Sequence, residues 1–213
     1  MMNHPAELAV HQYLENAKGR GTNMADSTLD KICDDIRAAL VRQFGSDAKR
    51  GKFKPRMSNI GRPTCQLWYD KNKPEAALPR STTFVMNMMI GDIVEAVFKG
   101  LLTEAGVSYE ENEKTSVEFS DGTTVNGTAD ISINGSVDDI KSASDWSYRN
   151  KFESYDTLAR FDDFGYVAQL AGYAKGLDKQ AGGWWVINKA TGDFKYVPAT
   201  GLDIDEECEK INA

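Results

Sequence analysis

Cysteine is scarce in this chain, and the three residues present, Cys33, Cys65 and Cys208, lie far apart without any Cys-x-x-Cys spacing. That excludes a disulfide framework and a thiolate zinc site, and makes buried, unreactive thiols the expectation. Long apolar runs are missing too: no stretch approaches the ~20 residues of a membrane span. The opening segment, with Asn3, His4, Pro5 and Glu7, lacks the charged and apolar regions of a signal peptide, so a cytoplasmic location is expected. No internal repeat is visible. What remains is a chain of 213 residues with 41% hydrophobic content, enough for one domain with a sizeable core and a small helical appendage.

Positive charge is also in deficit, with a net charge of −7, which argues against indiscriminate polyanion binding. The deficit is uneven. Residues 41 to 80 carry ten basic side chains against Asp47, Asp70 and Glu75, a surplus of seven, so the rest of the chain carries −14. A local positive field on an acidic protein suits a partner approaching one face, such as a nucleic-acid backbone; a solvated basic loop is the alternative. Within this segment Arg56, Ser58 and Arg62 are the candidates for binding phosphate.

Hydrophobic spacing predicts helices over residues 5–17, 27–44 (Ser27 as N-cap, Gly45 ending it), 81–102, 161–177 and 203–211. The segment 57–69 is expected to begin extended and end helical, with polar loops at 47–55 and 71–80. The helix from Ser81 is apolar nearly all round, which predicts a central packed position. Strands are predicted over 109–119, 123–133, 136–142, 184–187 and 194–197, with Gly182-Gly183 ending the preceding pattern. This succession gives an α+β or mixed α/β fold with a central, mostly antiparallel or mixed sheet. Residues 1–80 form an N-terminal helical and basic segment packed on a core of 81–213, one structural domain overall.

The strongest local signal is Asn134-Gly135 between two alternating runs, which marks a two-residue β-hairpin. With Ile133 facing Ser136, counting outward places Asp130 opposite Asp139 and sends Asp138 to the other face. Like charges opposed across a ladder are destabilising unless a cation sits between them. Lys141, two residues beyond Asp139, shares its face. Oxygen ligands of this kind suit Mg²⁺ or Mn²⁺; an ion-free arrangement bridged by Lys141 is the alternative. Glu95 lies on an otherwise apolar helical stripe with Met88, Gly91, Phe98 and Leu102. It is either a metal ligand or the partner of Lys99 in an ordinary i,i+4 ion pair. Gln169 and Tyr173 are four apart and share a helix face, which by itself fits a core edge equally well.

In order and spacing, Gly91-Asp-Ile-Val-Glu95, Gly127-Thr-Ala-Asp130, Asp139-Ile-Lys141 and Gln169-Leu-Ala-Gly-Tyr173 resemble the PD-(D/E)XK nuclease superfamily, in its RecB-like and lambda-exonuclease-like branch. The match spans Gly91 to Tyr173, about two fifths of the chain. Glu95 stands where many members have His, and Ala129 replaces the proline before the first catalytic Asp. Ser58-Asn-Ile-Gly-Arg62 through Cys65-Gln-Leu-Trp-Tyr69 resembles the segment preceding the core in related phage and CRISPR-associated nucleases. Some of those hold an iron–sulfur cluster on four thiolates, and with three cysteines none is expected here.

The resemblance implies a restriction-endonuclease-like core and a Mg²⁺-dependent deoxyribonuclease, with Mn²⁺ as a substitute. An exonuclease acting on linear DNA with a free end, in phage or bacterial recombination, repair or degradation, is the expected member. It further implies that Asp130, Asp139, Glu95 and the Ile140 carbonyl hold the metal. Lys141 orients or deprotonates the attacking water, Gln169 and Tyr173 position DNA or brace the site, and Arg56, Ser58 and Arg62 grip phosphate, including a terminal 5′-phosphate. A recombinase or single-strand-binding partner and a ring-shaped homo-oligomer are compatible with it. A site- or structure-specific endonuclease of the same fold, a catalytically inactive DNA-binding module and a structural Ca²⁺ hairpin are the alternatives.

Overall fold

The computed structural model describes residues 4–17, 24–44 and 53–212. Residues 19–23, Gly45 and the basic residues Lys49, Arg50 and Lys52 lie outside the described residues. The chain divides into two units, one made of Met1–Arg50 and Arg80–Ser108, the other of Gly51–Pro79 and Tyr109–Ala213. The division is interleaved: residues 51–79 group with the sheet, and the helix that follows them groups with the N-terminal helices. The fold is mixed α/β of the α+β kind, and among the described residues no helix is long and apolar enough to cross a membrane.

The first unit is helical, with α1 (Pro5–Ala17), α2 (Asp26–Phe44) and α5 (Thr82–Glu104). Helix α5 starts where its sequence says, with the Ser81 hydroxyl accepting from the Phe84 N–H at 3.1 Å. Ser27 does not cap α2, which already begins at Asp26. Nor is α5 packed along its whole length: its buried residues are Ala96, Phe98, Lys99, Gly100 and Leu102, while Phe84 and Met86 near its start are exposed. At Gly100 a side chain would collide with Ile32 of α2, since a Cβ there would lie 2.4 Å from the Ile32 Cδ1. Thr28 and Glu104 close the same contact with a 2.5 Å hydrogen bond.

The second unit holds α3 (Met57–Ile60), α4 (Thr64–Asn72), α6 (Tyr155–Arg160), α7 (Tyr166–Leu177), α8 (Ile204–Asn212) and a five-stranded sheet. Its strands, β1 (Glu110–Glu118), β2 (Thr124–Ile133), β3 (Ser136–Ala143), β4 (Gln180–Asn188) and β5 (Phe194–Pro198), lie in sequence order. All neighbours are antiparallel except β3 and β4, which are parallel and joined by a crossover through a π-helical turn at Ser147–Lys151, α6 and α7. Helix α7 packs on β1 to β4, burying Val167, Leu170, Ala171 and Tyr173 against the sheet, where Trp184, Val137 and Leu158 complete the core.

Three local expectations are corrected. Residue 57 opens a helical turn instead of an extended segment, and Met57 is driven into the core against Gly127 and Gly172, where a Cβ would lie 2.5 Å from its side chain in each case. The predicted helix 161–177 is broken: Phe161 to Gly165 separate α6 from α7, and the Asp162 carboxylate takes the Tyr166 and Val167 N–H groups at 2.9 and 2.8 Å. Gly182 and Gly183 lie inside β4. They stand there because neighbours occupy the side-chain space: a Cβ on Gly182 would sit 2.1 Å from the Asp138 Oδ1, and one on Gly183 2.3 Å from the Val197 carbonyl.

Candidate active site

The hairpin forms as its turn requires, with Asn134 and Gly135 both at positive φ (52° and 80°) and pairs Ile133↔Ser136, Ser132↔Val137 and Ile131↔Asp138. The ladder stops there, one pair short of the predicted Asp130↔Asp139. Beyond it the Asp130 Oδ2 accepts the Ile140 N–H at 3.0 Å, so a side chain takes over a bond that a paired strand would have supplied. A residue's N–H and C=O leave a strand on the same side, so the Ile140 carbonyl faces the same gap as Asp130.

Around this gap the second unit gathers a small polar set. The Asp139 side chain is 1% exposed, and its Oδ2 lies 2.6 Å from the Lys141 Nζ. Lys141 also donates to the Gln169 Oε1 at 3.2 Å, and Gln169 in turn donates to the Tyr173 hydroxyl at 3.0 Å. Strand β3 and helix α7 are thereby tied through four side chains. Burial alone would lower the Lys141 pKa; the charges of Asp139 and Asp130 overcome it and hold the ammonium above its ordinary range. Burial, followed by the same two carboxylates, pushes the Tyr173 phenol up as well. Both shifts register two aspartates acting on one spot.

Tyr166, which the sequence reading passed over, belongs here. Its ring centroid is 4.9 Å from the Lys141 Nζ, a cation–π contact. Its pKa is raised chiefly by burial, with Lys141 and Arg62 acting in the opposite sense. Spacing could have found it: Tyr166, Gln169 and Tyr173 are three and seven apart, one stripe of a helix. Arg62 reaches this neighbourhood because Gly61 and Gly165 let two backbones touch, a Cβ on Gly61 coming 2.5 Å from the Gly165 Cα. The Arg62 Nε is buried without a hydrogen-bond partner. Arg56, which precedes α3, and Ser58 within it are exposed, with Arg56 bridging backbone to Asn126, and neither contacts the carboxylate set.

Glu95 stands in the helical unit, where its Oε1 accepts from the nearly buried Lys99 at 2.7 Å. The i,i+4 ion pair that the sequence offered as one reading is therefore formed. Among the described residues no three His, Cys, Asp or Glu side chains converge on a metal position. The oxygens bordering the gap are those of two carboxylates and a strand carbonyl. An all-oxygen set with few protein ligands fits Mg²⁺, which keeps several waters and is commonly held by one or two carboxylates plus substrate phosphate. The thiols depart from expectation: Cys33 and Cys65 are exposed and only Cys208 is buried.

Asp138 faces the other way, as the register requires. Its Oδ1 accepts from the Tyr196 hydroxyl at 2.8 Å and its Oδ2 from the Trp185 Nε1 at 3.2 Å. Burial pushes its pKa up to about 7, against the opposing pull of Tyr196, Trp185 and the Gly183 N–H.

Comparison with known proteins adds little to this geometry. No family model matches the chain, and no curated protein does. Among solved structures it is similar to SSO0001, with 16% identity over 89% of this chain and 87% of that one and a TM-score of 0.48, a likeness too low to carry an argument.

Proposed function

We propose that this chain is a metal-dependent deoxyribonuclease of the PD-(D/E)XK kind, RecB-like in its motifs, acting as an exonuclease on linear DNA with Mg²⁺ as cofactor. The observation that supports it most is the meeting of Asp130, Asp139 and Lys141 at the open end of the β2–β3 ladder, with Gln169 and Tyr173 tied to the lysine. Spacing alone allowed these groups to be unrelated.

In this reading Asp130, Asp139 and the Ile140 carbonyl would hold the ion. Bound there, Mg²⁺ would polarise the scissile phosphate and lower the pKa of a coordinated water. Lys141, fixed as an ammonium, orients the attacking water and offsets negative charge developing on the phosphorus oxygens. Gln169 holds Lys141 in place, and Tyr173 fixes the rotamer of Gln169, so both are positioning residues. Arg62, half-buried near Tyr166, would meet a backbone phosphate through its guanidinium charge. The role of Glu95 as an additional ligand remains part of this proposal and rests on its motif.

The test is DNA hydrolysis. End-labelled linear, nicked and closed-circular DNA are incubated with the protein and Mg²⁺, with Asp130→Asn as control. Stepwise, Mg²⁺-dependent loss from linear ends, reduced on the order of 10³-fold by Asp130→Asn, is expected. Absence of cleavage of any form would remove the enzyme reading, and cleavage of closed circles would replace the exonuclease with an endonuclease.

A further inference from the structure

The crossover between β3 and β4 carries three large rings open to solvent: Trp146 is 62% exposed, Phe161 42% and Phe164 55%. Phe164 is the one that leads inward. Its ring stacks on Tyr166 at 5.6 Å between centroids and 12° between planes, and Tyr166 stacks in turn on the buried Phe152 at 5.9 Å and 26°. The inner end of this stack is anchored in the core, and Tyr166 touches Lys141. One ring thus separates an exposed aromatic face from the lysine of the candidate site.

The platform is held rigidly. Phe164 lies between Asp162, whose carboxylate caps the start of α7, and Gly165, whose φ of +77° turns the chain into that helix. The Lys151 Nζ sits 5.1 Å from the Phe164 centroid and 4.8 Å from that of Tyr166. Its nearest carboxylate, Asp162, is 4.0 Å away, and among the described residues its ammonium donates no hydrogen bond. An ordered aromatic face beside a nearly buried ammonium with donors to spare matches a nucleobase on the ring and an oxygen acceptor on the lysine.

Building on the nuclease reading, we infer that Phe164 and Tyr166 form a stacking platform for an unpaired nucleobase beside Lys141, so that the strand engaged by the site is single. Bases inside a duplex already stack on both faces, and only an unpaired or frayed base has a face to give.

The experiment measures binding without chemistry: anisotropy of a fluorescein-labelled oligothymidylate and of a blunt duplex of equal length, in EDTA, with wild type, Phe164→Ala and Phe164→Trp. Wild type should prefer the single strand. Phe164→Ala should weaken that binding about tenfold, Phe164→Trp should restore it, and duplex binding should not move. Circular dichroism melts confirm that the variants fold. The inference is overturned if Phe164→Ala binds the single strand like wild type, if the duplex loses affinity equally, or if wild type binds the duplex as tightly or neither ligand at all. Parallel cleavage assays in Mg²⁺ separate the two ideas. Phe164-dependent binding without hydrolysis removes the nuclease reading alone, whereas hydrolysis with Phe164-independent binding removes only the platform.

Discussion

Asp138 and Asp139 are chemically identical neighbours on one strand, yet the two faces of the sheet use them in opposite ways. On one face Asp138 is enclosed by Trp185, Tyr196 and the glycine that makes room for it, with both oxygens hydrogen-bonded and, among the described residues, no cation beside it. On the other, Asp139 is equally buried but faces an ammonium at 2.6 Å and shares its surroundings with a second carboxylate. The first environment satisfies a carboxyl group by neutral donors and favours its protonated form. The second gathers charge where the β2–β3 ladder ends. Burial of an acidic residue therefore does not identify a site; what surrounds it does.

The contrast can be broken from either side. The largest effect is expected on the charged face: Lys141→Met leaves Asp139 buried without its cation and should cost about 3–5 kcal/mol in chemical denaturation. On the neutral face Asp138→Ala strands the Trp185 N–H and the Tyr196 hydroxyl and opens a void, for a loss of about 3 kcal/mol by the same measurement. Gly182→Ala drives a methyl against the Asp138 carboxylate and should cost about 2 kcal/mol, with a shift in the near-ultraviolet signal of Trp185.

The smallest effect is a pH dependence. Because the folded-state pKa of Asp138 lies near 7 and its ordinary value at 3.8, the folded chain holds more protons between those limits, and this group's contribution to stability falls as pH rises through that window. Asp138→Asn removes the dependence while its amide can still accept from Trp185 and donate to Tyr196. Its stability relative to wild type should rise between pH 6 and pH 7, by about 1 kcal/mol. A constant difference across that range would show that Asp138 does not titrate there.

Much of this contrast was legible in the sequence, because a two-residue turn fixes register and register fixes faces. Asn134-Gly135 was enough to separate Asp138 from Asp139 and to put Lys141 with the latter. The same logic could not foresee that the ladder would end before Asp130, since that depends on a side chain competing for the Ile140 N–H. Nor could it place Gly182 and Gly183 inside a strand. Their reason is a carboxylate and a carbonyl contributed by β3 and β5, contacts between residues far apart in the chain. Helix α5 misled for a related reason: an apolar stripe reports capacity for burial, and Phe84 and Met86 do not use it. Tyr166 shares a helical stripe with Gln169 and Tyr173, a spacing visible in the sequence, but only its contact with Lys141 gives that position a role.

The central claim is that one face of β3 carries chemistry and the other carries structure. The most direct test is the rate of Mg²⁺-dependent hydrolysis of linear DNA by Asp138→Asn and Asp139→Asn, two variants that differ by one position. Asp138→Asn should retain the wild-type rate within a few-fold, while Asp139→Asn should lose on the order of 10³-fold although it remains folded. Equal rates in the two variants, or a loss confined to Asp138→Asn, would contradict the account.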